Sequence, residues 1–309
     1  MKALRNLLIA VDAASRRERL LAFLHRHPAA KILSILSPCV FWVGLFFVLP
    51  LLLMAAYSFL ERGLYGGVRW IFTWENYLRF VDPLYLKILL RSFRISFLTT
   101  LLLLAAGYPL AYWIAGLSNR WQNICIFLVI MPFWTSDLIR SYAWMLILRD
   151  TGLINGLLTA LHIVDSPVSL LYTDGAILLG LCYVYLPFMV LPLYASIERM
   201  DRSLLEAAAD LGANPFWQFV KVTFPVTKSG ILAGSLLVFI PSVGAFVVPD
   251  LLGGAKVMMI GNLIQLQFGP SRNWPFGSAA SFILMGMVLI AVFLYLRFSG
   301  GREALEEIR

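Results

Sequence analysis

Ser203-Leu204-Leu205-Glu206-Ala207-Ala208-Ala209-Asp210-Leu211-Gly212-Ala213-Asn214-Pro215 lies in a charged stretch, residues 197–228, between two long apolar runs. Ser203 followed by Glu206 has capping-box spacing and predicts a helix start. Alanine and leucine propagate the helix, and Gly212 fits the residue that ends it. Asn214 and Pro215 then restart a second helix as N-cap and first-turn proline, and Pro225 is expected to stop it. The first helix has an apolar side (Leu204, Ala208, Leu211) and a carboxylate side (Glu206, Asp210). Like charges at i, i+4 do not help an isolated helix, though their sign suits its N-terminal half. Two readings stand at this point: a capped helix lying at an interface, and a helix presented to a partner.

Outward from this stretch the chain is oily. Its 309 residues are 60% hydrophobic and only 14% charged, with mean hydropathy +0.81. Soluble domains carry about 25% charged residues. A water-soluble enzyme, a disordered chain and a secreted disulfide scaffold are thereby excluded. Spanning about 30 Å of hydrocarbon takes about 20 helical residues. Six segments qualify, near 34–58, 93–117, 122–147, 175–196, 229–249 and 277–297. Open strands cannot sit in lipid, so the expected fold is all-α: a polytopic membrane protein with six transmembrane helices. Its expected parts are a basic amphipathic N-terminal segment (1–31), a first span with a long outer loop (32–92), a five-helix core (93–297) containing the loop at 197–228, and a tail (298–309).

Charge gives the orientation. Of 25 Lys and Arg against 17 Asp and Glu, 15 basic residues fall in the stretches that are inside if both termini are cytoplasmic, and 8 in the others. Basic residues favour the cytoplasmic side, so both termini are placed there. Lys87, Arg91 and Arg94, spaced i, i+4, i+7, suggest a basic helix lying at the outer surface. Leu4, Leu7, Leu8 and Val11, ahead of Arg16, Arg17 and Arg19, suggest an amphipathic segment on anionic membrane lipid rather than a cleavable signal. No basic–aromatic groove points to nucleic acid. The outer stretches near 61–91, 149–174 and 250–276 carry Trp70, Trp74 and Trp274, either as interfacial anchors or as a docking surface. Gly230 and Gly234, four apart, permit close helix approach.

The third segment holds Asp137. A carboxylate at a helix centre costs about 2.5–3.5 kcal/mol on insertion scales and should face the protein interior. On a continuous helix from Trp121, Asp137 lies roughly 24 Å along the axis, in the outer half. Trp134, Asp137, Ser141 and Trp144 then share about an 80° arc. This stripe suits a cation path. Equally, Arg140, three residues on, suits a simple ion pair with Asp137. Asp250, Tyr185 and Trp274 form a weaker second set. Cys39, Cys125 and Cys182 are scattered in apolar runs and read as small core residues. His25, His27 and His162 show no metal-ligand spacing. No nucleophile–base pattern and no phosphate-cradling G-x-x-x-x-G-K-[ST] loop occurs, so neither cofactor nor metal nor catalysis is expected of this chain. A secondary transporter should show internal repeats and more mid-span charge, and a membrane enzyme should show clustered His or carboxylates. Neither pattern is evident.

Glu206-Ala207-Ala208, Gly212 and Val222-x-Phe224-Pro225 resemble, in spacing throughout, the EAA loop of ABC-importer permeases. Val222 and Phe224 replace the usual Ile and Leu. Further stretches are similar to the spermidine/putrescine permease subfamily: Pro132-Phe133-Trp134-Thr135, Tyr185-Leu186-Pro187-Phe188-Met189-Val190, Pro249-Asp250-Leu251-Leu252-Gly253-Gly254, Ile260-Gly261-Asn262 and Asn273-Trp274-Pro275-Phe276-Gly277. The resemblance implies a type I ABC importer permease fold in a bacterial inner membrane. It implies that Glu206, Ala207, Ala208 and Gly212 seat a coupling helix in an ATPase. The implied partners are two cytoplasmic ABC ATPase subunits, a second similar permease, and an extracytoplasmic binding protein that brings polyamine. An opine, another organic cation or ferric iron is the alternative cargo.

Overall fold

The computed structural model describes residues 28–298, with side chains from Leu36 onward. The amphipathic segment expected before residue 28, His25, His27 and the tail beyond 298 lie outside the described residues. The chain divides into two units, 1–57 and 58–309.

The first unit carries one apolar rod. Helix α1 (Pro28–Val43) passes through a π turn (Gly44–Val48) into α2 (Leu49–Ser58). The Leu49 N–H reaches back to the Gly44 carbonyl, just before Pro50, which has no N–H to give. Widening the turn there absorbs the missing donor.

The second unit opens with a feature absent from the sequence reading, a β-hairpin. Strands β1 (Leu60–Arg62) and β2 (Val68–Phe72) pair antiparallel, with Glu61 opposite Arg69 and a register shift between Leu60 and Glu61. Helix α3 (Glu75–Phe80) follows, and Asn76 donates to the Ser58 and Leu60 carbonyls at 3.0 and 2.9 Å.

Helix α4 (Pro83–Ala115) is 33 residues long. It begins ten residues before the expected span because Asp82 caps it, accepting from Leu84 N at 2.8 Å, with Pro83 in the first turn. Lys87, Arg91 and Arg94 therefore sit on the first turns of the span itself, not on a separate surface helix. The third segment is also different: α5 (Asn119–Ile130), a 3-10 turn (Met131–Trp134) and α6 (Asp137–Leu148) meet at a sharp break. Short α7 (Leu153–Ala160) leads to α8 (Asp174–Glu198). Helices α9 (Ser203–Asp210), α10 (Pro215–Gln218) and α11 (Phe224–Val226), the last two separated by a π turn at Phe219–Thr223, precede α12 (Lys228–Val243). Helix α12 stops six residues short of the expected end. A π turn (Pro249–Gly253), α13 (Ile260–Phe268) and α14 (Trp274–Phe298) complete the unit.

Among the described residues, Leu36–Ser58, Pro83–Ala115, Asp174–Glu198 and Trp274–Arg297 are long and apolar enough to cross a bilayer. Two bent pairs also qualify: Asn119–Trp134 with Asp137–Ala160, at 94°, and Pro215–Val226 with Lys228–Val243, at 66°. Counting each pair as one span gives six.

Helices α4, α8 and α12 pack together as the centre of the second unit, burying Ala111, Ile114, Met189, Leu193 and Val238. Within lipid, close approach rather than apolar burial drives such packing. Gly230 supplies it: a Cβ there would stand 2.5 Å from Ser196 Cβ and 2.7 Å from the Pro192 carbonyl oxygen. At the end opposite α9, α3, α13 and α14 close over α4 through Phe80, Leu89, Ile260, Leu263 and Phe276. Cys125 and Cys182 pack half-buried against the central core, whereas Cys39 is exposed, contrary to its expected place as a core residue.

Candidate functional site

The α9 loop is built from local signals. Helix α9 begins at Ser203 as expected, but the cap is different. Ser203 is the first helical residue, and the Asp201 carboxylate accepts its N–H at 2.9 Å. That backbone bond, with help from the Ser203 hydroxyl, holds the Asp201 carboxyl below the usual carboxylate range. Gly212 ends the helix at φ +81°, the left-handed region that glycine enters without strain. Asn214 caps α10, accepting from Trp217 N at 3.0 Å, and Pro215 fills the first turn. Pro225 does not stop the second helix. The π turn ahead of it lets Phe224 N reach the Phe219 carbonyl, and the chain turns only at Thr227.

Glu206, Ala207 and Gly212 are exposed and Ala208 is half-buried. Among the described residues neither Glu206 nor Asp210 is in an ion pair. Leu211 is 89% exposed, and Leu204, Phe216 and Trp217 are exposed too. A small-residue helix edged with unpaired carboxylates and open apolar side chains offers a knob for a groove.

The knob is tied to the bundle at both ends. Before it, Arg202 Nη2 donates to the Ala115 carbonyl at the end of α4, at 3.1 Å. After it, the 66° bend at Thr227 is fully buried. Thr227 Oγ1 lies 2.7 Å from the Tyr108 hydroxyl on α4 and donates to the Thr223 carbonyl at 2.8 Å. Phe219 packs edge-on against Tyr108 at 5.4 Å.

The second region is the 94° break. Thr135 and Ser136 are extended, and Asp137 is the first residue of α6. The continuous stripe expected from Trp134 to Trp144 does not form, because Trp134 lies on the other side of the break. Asp137 forms the ion pair with Arg140. Its side chain is 54% exposed, whereas that of Arg140 is 6% exposed. Tyr185 lies within electrostatic reach of Asp137. Phe133 packs edge-on against Phe188 at 5.4 Å, and Phe188 is 6.2 Å from Tyr185. Trp134 is exposed and contacts Phe127 at 5.5 Å. The break thus gathers Asp137 and Tyr185 with Phe133, Phe188 and Trp134. Phe133 and Phe188 were not singled out as site residues, although Tyr185 and Phe188, at i, i+3, share a helix face. Tyr185 is the twelfth of 25 residues in α8, about 17 Å along it, so the group lies beside the middle of α8.

Ser141 lies one turn beyond Asp137 on α6, and the other candidates are apart from this group. Ser141 is buried and its hydroxyl has no partner. Trp144 meets Tyr183 at 5.6 Å, which points about 200° around α8 from Tyr185. Asp250 is exposed on the Pro249–Gly253 turn. Trp274 opens α14 and donates to the Phe268 carbonyl at 3.2 Å.

At the end opposite α9, Asp174 opens α8 and receives Arg91 at 2.8 Å and also Arg94. Among the described residues no three His, Cys, Asp or Glu side chains group as a metal site.

No family model matches the sequence. A search of curated proteins finds the spermidine/putrescine transport system permease protein PotB of Escherichia coli (strain K12), 43% identical over 268 residues, covering 86% of this chain and 98% of PotB. Among solved structures, a bacterial ABC transporter involved in import of the acidic polysaccharide alginate matches with TM-score 0.71 at 17% identity, covering 92% of this chain and 99% of that one. A bacterial alginate ABC transporter in complex with an alginate pentasaccharide-bound periplasmic protein matches with TM-score 0.69 at 17% identity, over 91% and 97% of the two chains. At that identity the structures speak for the fold alone, and it is that of an ABC importer permease.

Proposed function

Because the chain belongs to the family of spermidine/putrescine transport system permeases, we propose that it is the membrane-spanning permease of an ATP-driven importer of polyamines. The observation that carries this is the 43% identity extending over 98% of PotB. The chain is a multi-pass transport component. Hydrolysis of ATP belongs to two separate cytoplasmic ATPase subunits. A second, similar permease pairs with it in the bacterial inner membrane, and an extracytoplasmic binding protein delivers the cargo. Both termini are cytoplasmic, which puts α9 on the inner face. Residues 1–31 rest on inner-leaflet lipid, and residues 197–228 form the coupling loop.

In this reading Glu206, Ala207, Ala208 and Gly212 seat α9 in a groove of the ATPase, with Leu211 as an apolar anchor. When the ATPases close, the knob is pushed. The Tyr108–Thr227 bond and the Arg202–Ala115 bond pass the displacement to α4 and α12. Asp137 and Tyr185, with Trp134, Phe133 and Phe188, contact the cation in transit. A carboxylate exposed among apolar side chains beside the middle of α8 is costly against lipid, and a face shared with the second permease gives it water and cargo instead. Aromatic rings stabilise ammonium groups and cover the methylenes between them. Ser141, Trp144, Asp250 and Trp274 are secondary candidates along the same route.

The test is reconstitution of the chain with its sister permease and ATPase, with binding protein and labelled spermidine outside the vesicles. Accumulation is expected only with ATP inside the compartment that the ATPases face. Accumulation without nucleotide, or failure of an ATPase and a second permease to copurify, would overturn the reading.

A further inference from the structure

We infer that Arg140 is a positioning residue for transport: a built-in counter-cation that fixes the Asp137 carboxylate and keeps it half-neutralised, so that a passing ammonium binds through one oxygen and can leave. The inference rests on the proposed role of Asp137 as a contact for the cation.

The geometry of the pair is unusual for a structural ion pair. Arg140 is buried and Asp137 is not. Only Arg140 Nη2 donates, and only to Asp137 Oδ1. Arg140 Nε and Nη1 are buried without any partner, and among the described residues Asp137 Oδ2 accepts no hydrogen bond. An arginine recruited for stability makes a two-pronged bond with its carboxylate and satisfies its remaining donors. A buried guanidinium with two idle donors is destabilising relative to an apolar residue of the same volume. Stability therefore does not explain its presence.

What the arrangement does achieve is control over one carboxylate. Asp137 opens α6, so the helix N-terminus adds a second positive field. Oδ1 is taken from the buried side. Oδ2 is left free on a side chain that is 54% exposed and within electrostatic reach of Tyr185. A lone carboxylate in a low-dielectric site would hold an ammonium group tightly. Passage through a membrane needs binding that is favourable enough to enter and weak enough to leave. A fixed guanidinium three residues away supplies that moderation.

The experiment is uptake against polyamine concentration in the reconstituted complex, with membrane abundance measured alongside. Arg140→Gln frees the full charge of Asp137. It is expected to lower KM by about threefold or more while maximal uptake falls by about tenfold. Arg140→Lys keeps the charge and is expected to leave KM within about twofold. A purely structural role predicts instead lost abundance with unchanged KM, and that result, or an Arg140→Gln variant with normal KM and maximal rate, overturns the inference. Where Arg140→Gln does not accumulate, Arg140→Lys carries the test, and a KM shift beyond about twofold overturns it. The double variant Asp137→Asn, Arg140→Gln removes both charges and leaves no unmatched ion. Normal uptake by it would sink the role of Asp137 itself. Lost uptake by it, beside an Arg140→Gln variant with wild-type kinetics, would sink only the role of Arg140.

Discussion

Two bends interrupt spans among the described residues, and they are finished differently. At the 66° bend on Thr227, the buried hydroxyls are paired: Tyr108 with Thr227, and Thr227 with the Thr223 carbonyl. At the 94° break before Asp137, two guanidinium nitrogens are buried without partners while a carboxylate looks outward. A satisfied bend is stiff and suits the passing on of a push. An unsatisfied one keeps polarity in reserve for a transient ligand. In the proposed function, this polar accounting, more than the angle, is what assigns the first bend to coupling and the second to the cargo.

Substitutions can break or sharpen this contrast. The largest effect is expected from Gly230→Leu, just beyond the stiff bend. Its side chain would drive into Ser196 and the Pro192 carbonyl. Overpacking of this kind costs about 1–3 kcal/mol or more, and the folded chain recovered from membranes should fall sharply, as read by detergent extraction and gel filtration. Next is Gly212→Val. No atom crowds that position, so the cost is backbone strain at φ +81°, about 1–2 kcal/mol. Uptake should fall by about tenfold at normal abundance, and Gly212→Asn, which tolerates this region, should recover most of it. Normal uptake by Gly212→Val would show that the turn does not matter for coupling. Tyr108→Phe is milder. Thr227 keeps its bond to Thr223, so the loss is about 1 kcal/mol, and uptake per ATP hydrolysed should drop while KM holds. A KM change would mean that the stiff bend also touches the cargo route. Smallest is Asp174→Asn, which releases Arg91 and Arg94. Partly exposed pairs contribute about 1 kcal/mol or less, and the melting temperature in detergent should shift by no more than a few degrees.

The α9 loop was legible in the sequence because its signals are local. Gly212, Asn214 and Pro215 each state a backbone conformation within a few residues. The start of α4 was equally local, at Asp82-Pro83, but the three basic residues that follow suggested a surface helix. Only the pairing of two of them, Arg91 and Arg94, with Asp174, some eighty residues away, explains how they lie on a span. The capping-box spacing of Ser203 and Glu206 found the start of α9 but not its cap, which is the Asp201 carboxylate two residues earlier. The break at Thr135 and Ser136 was hidden for a different reason. Pro132 was visible as a kink, but the angle and the burial of Arg140 depend on packing against α8 and the Pro249–Gly253 turn. Hence the Asp137–Arg140 pair was legible from spacing, while the continuous helix assigned to Asp137 is replaced by a 94° break.

The hairpin has a consequence for how the protein is made. Arg62 Nη2 donates to the Ser271 carbonyl at 2.8 Å, and Gly67 N donates to the Arg272 carbonyl at 2.8 Å. A hairpin made early in synthesis is thus latched by a loop made some two hundred residues later. Chains fold in order of synthesis where they can, but this latch has to wait until some two hundred further residues have been threaded into the bilayer.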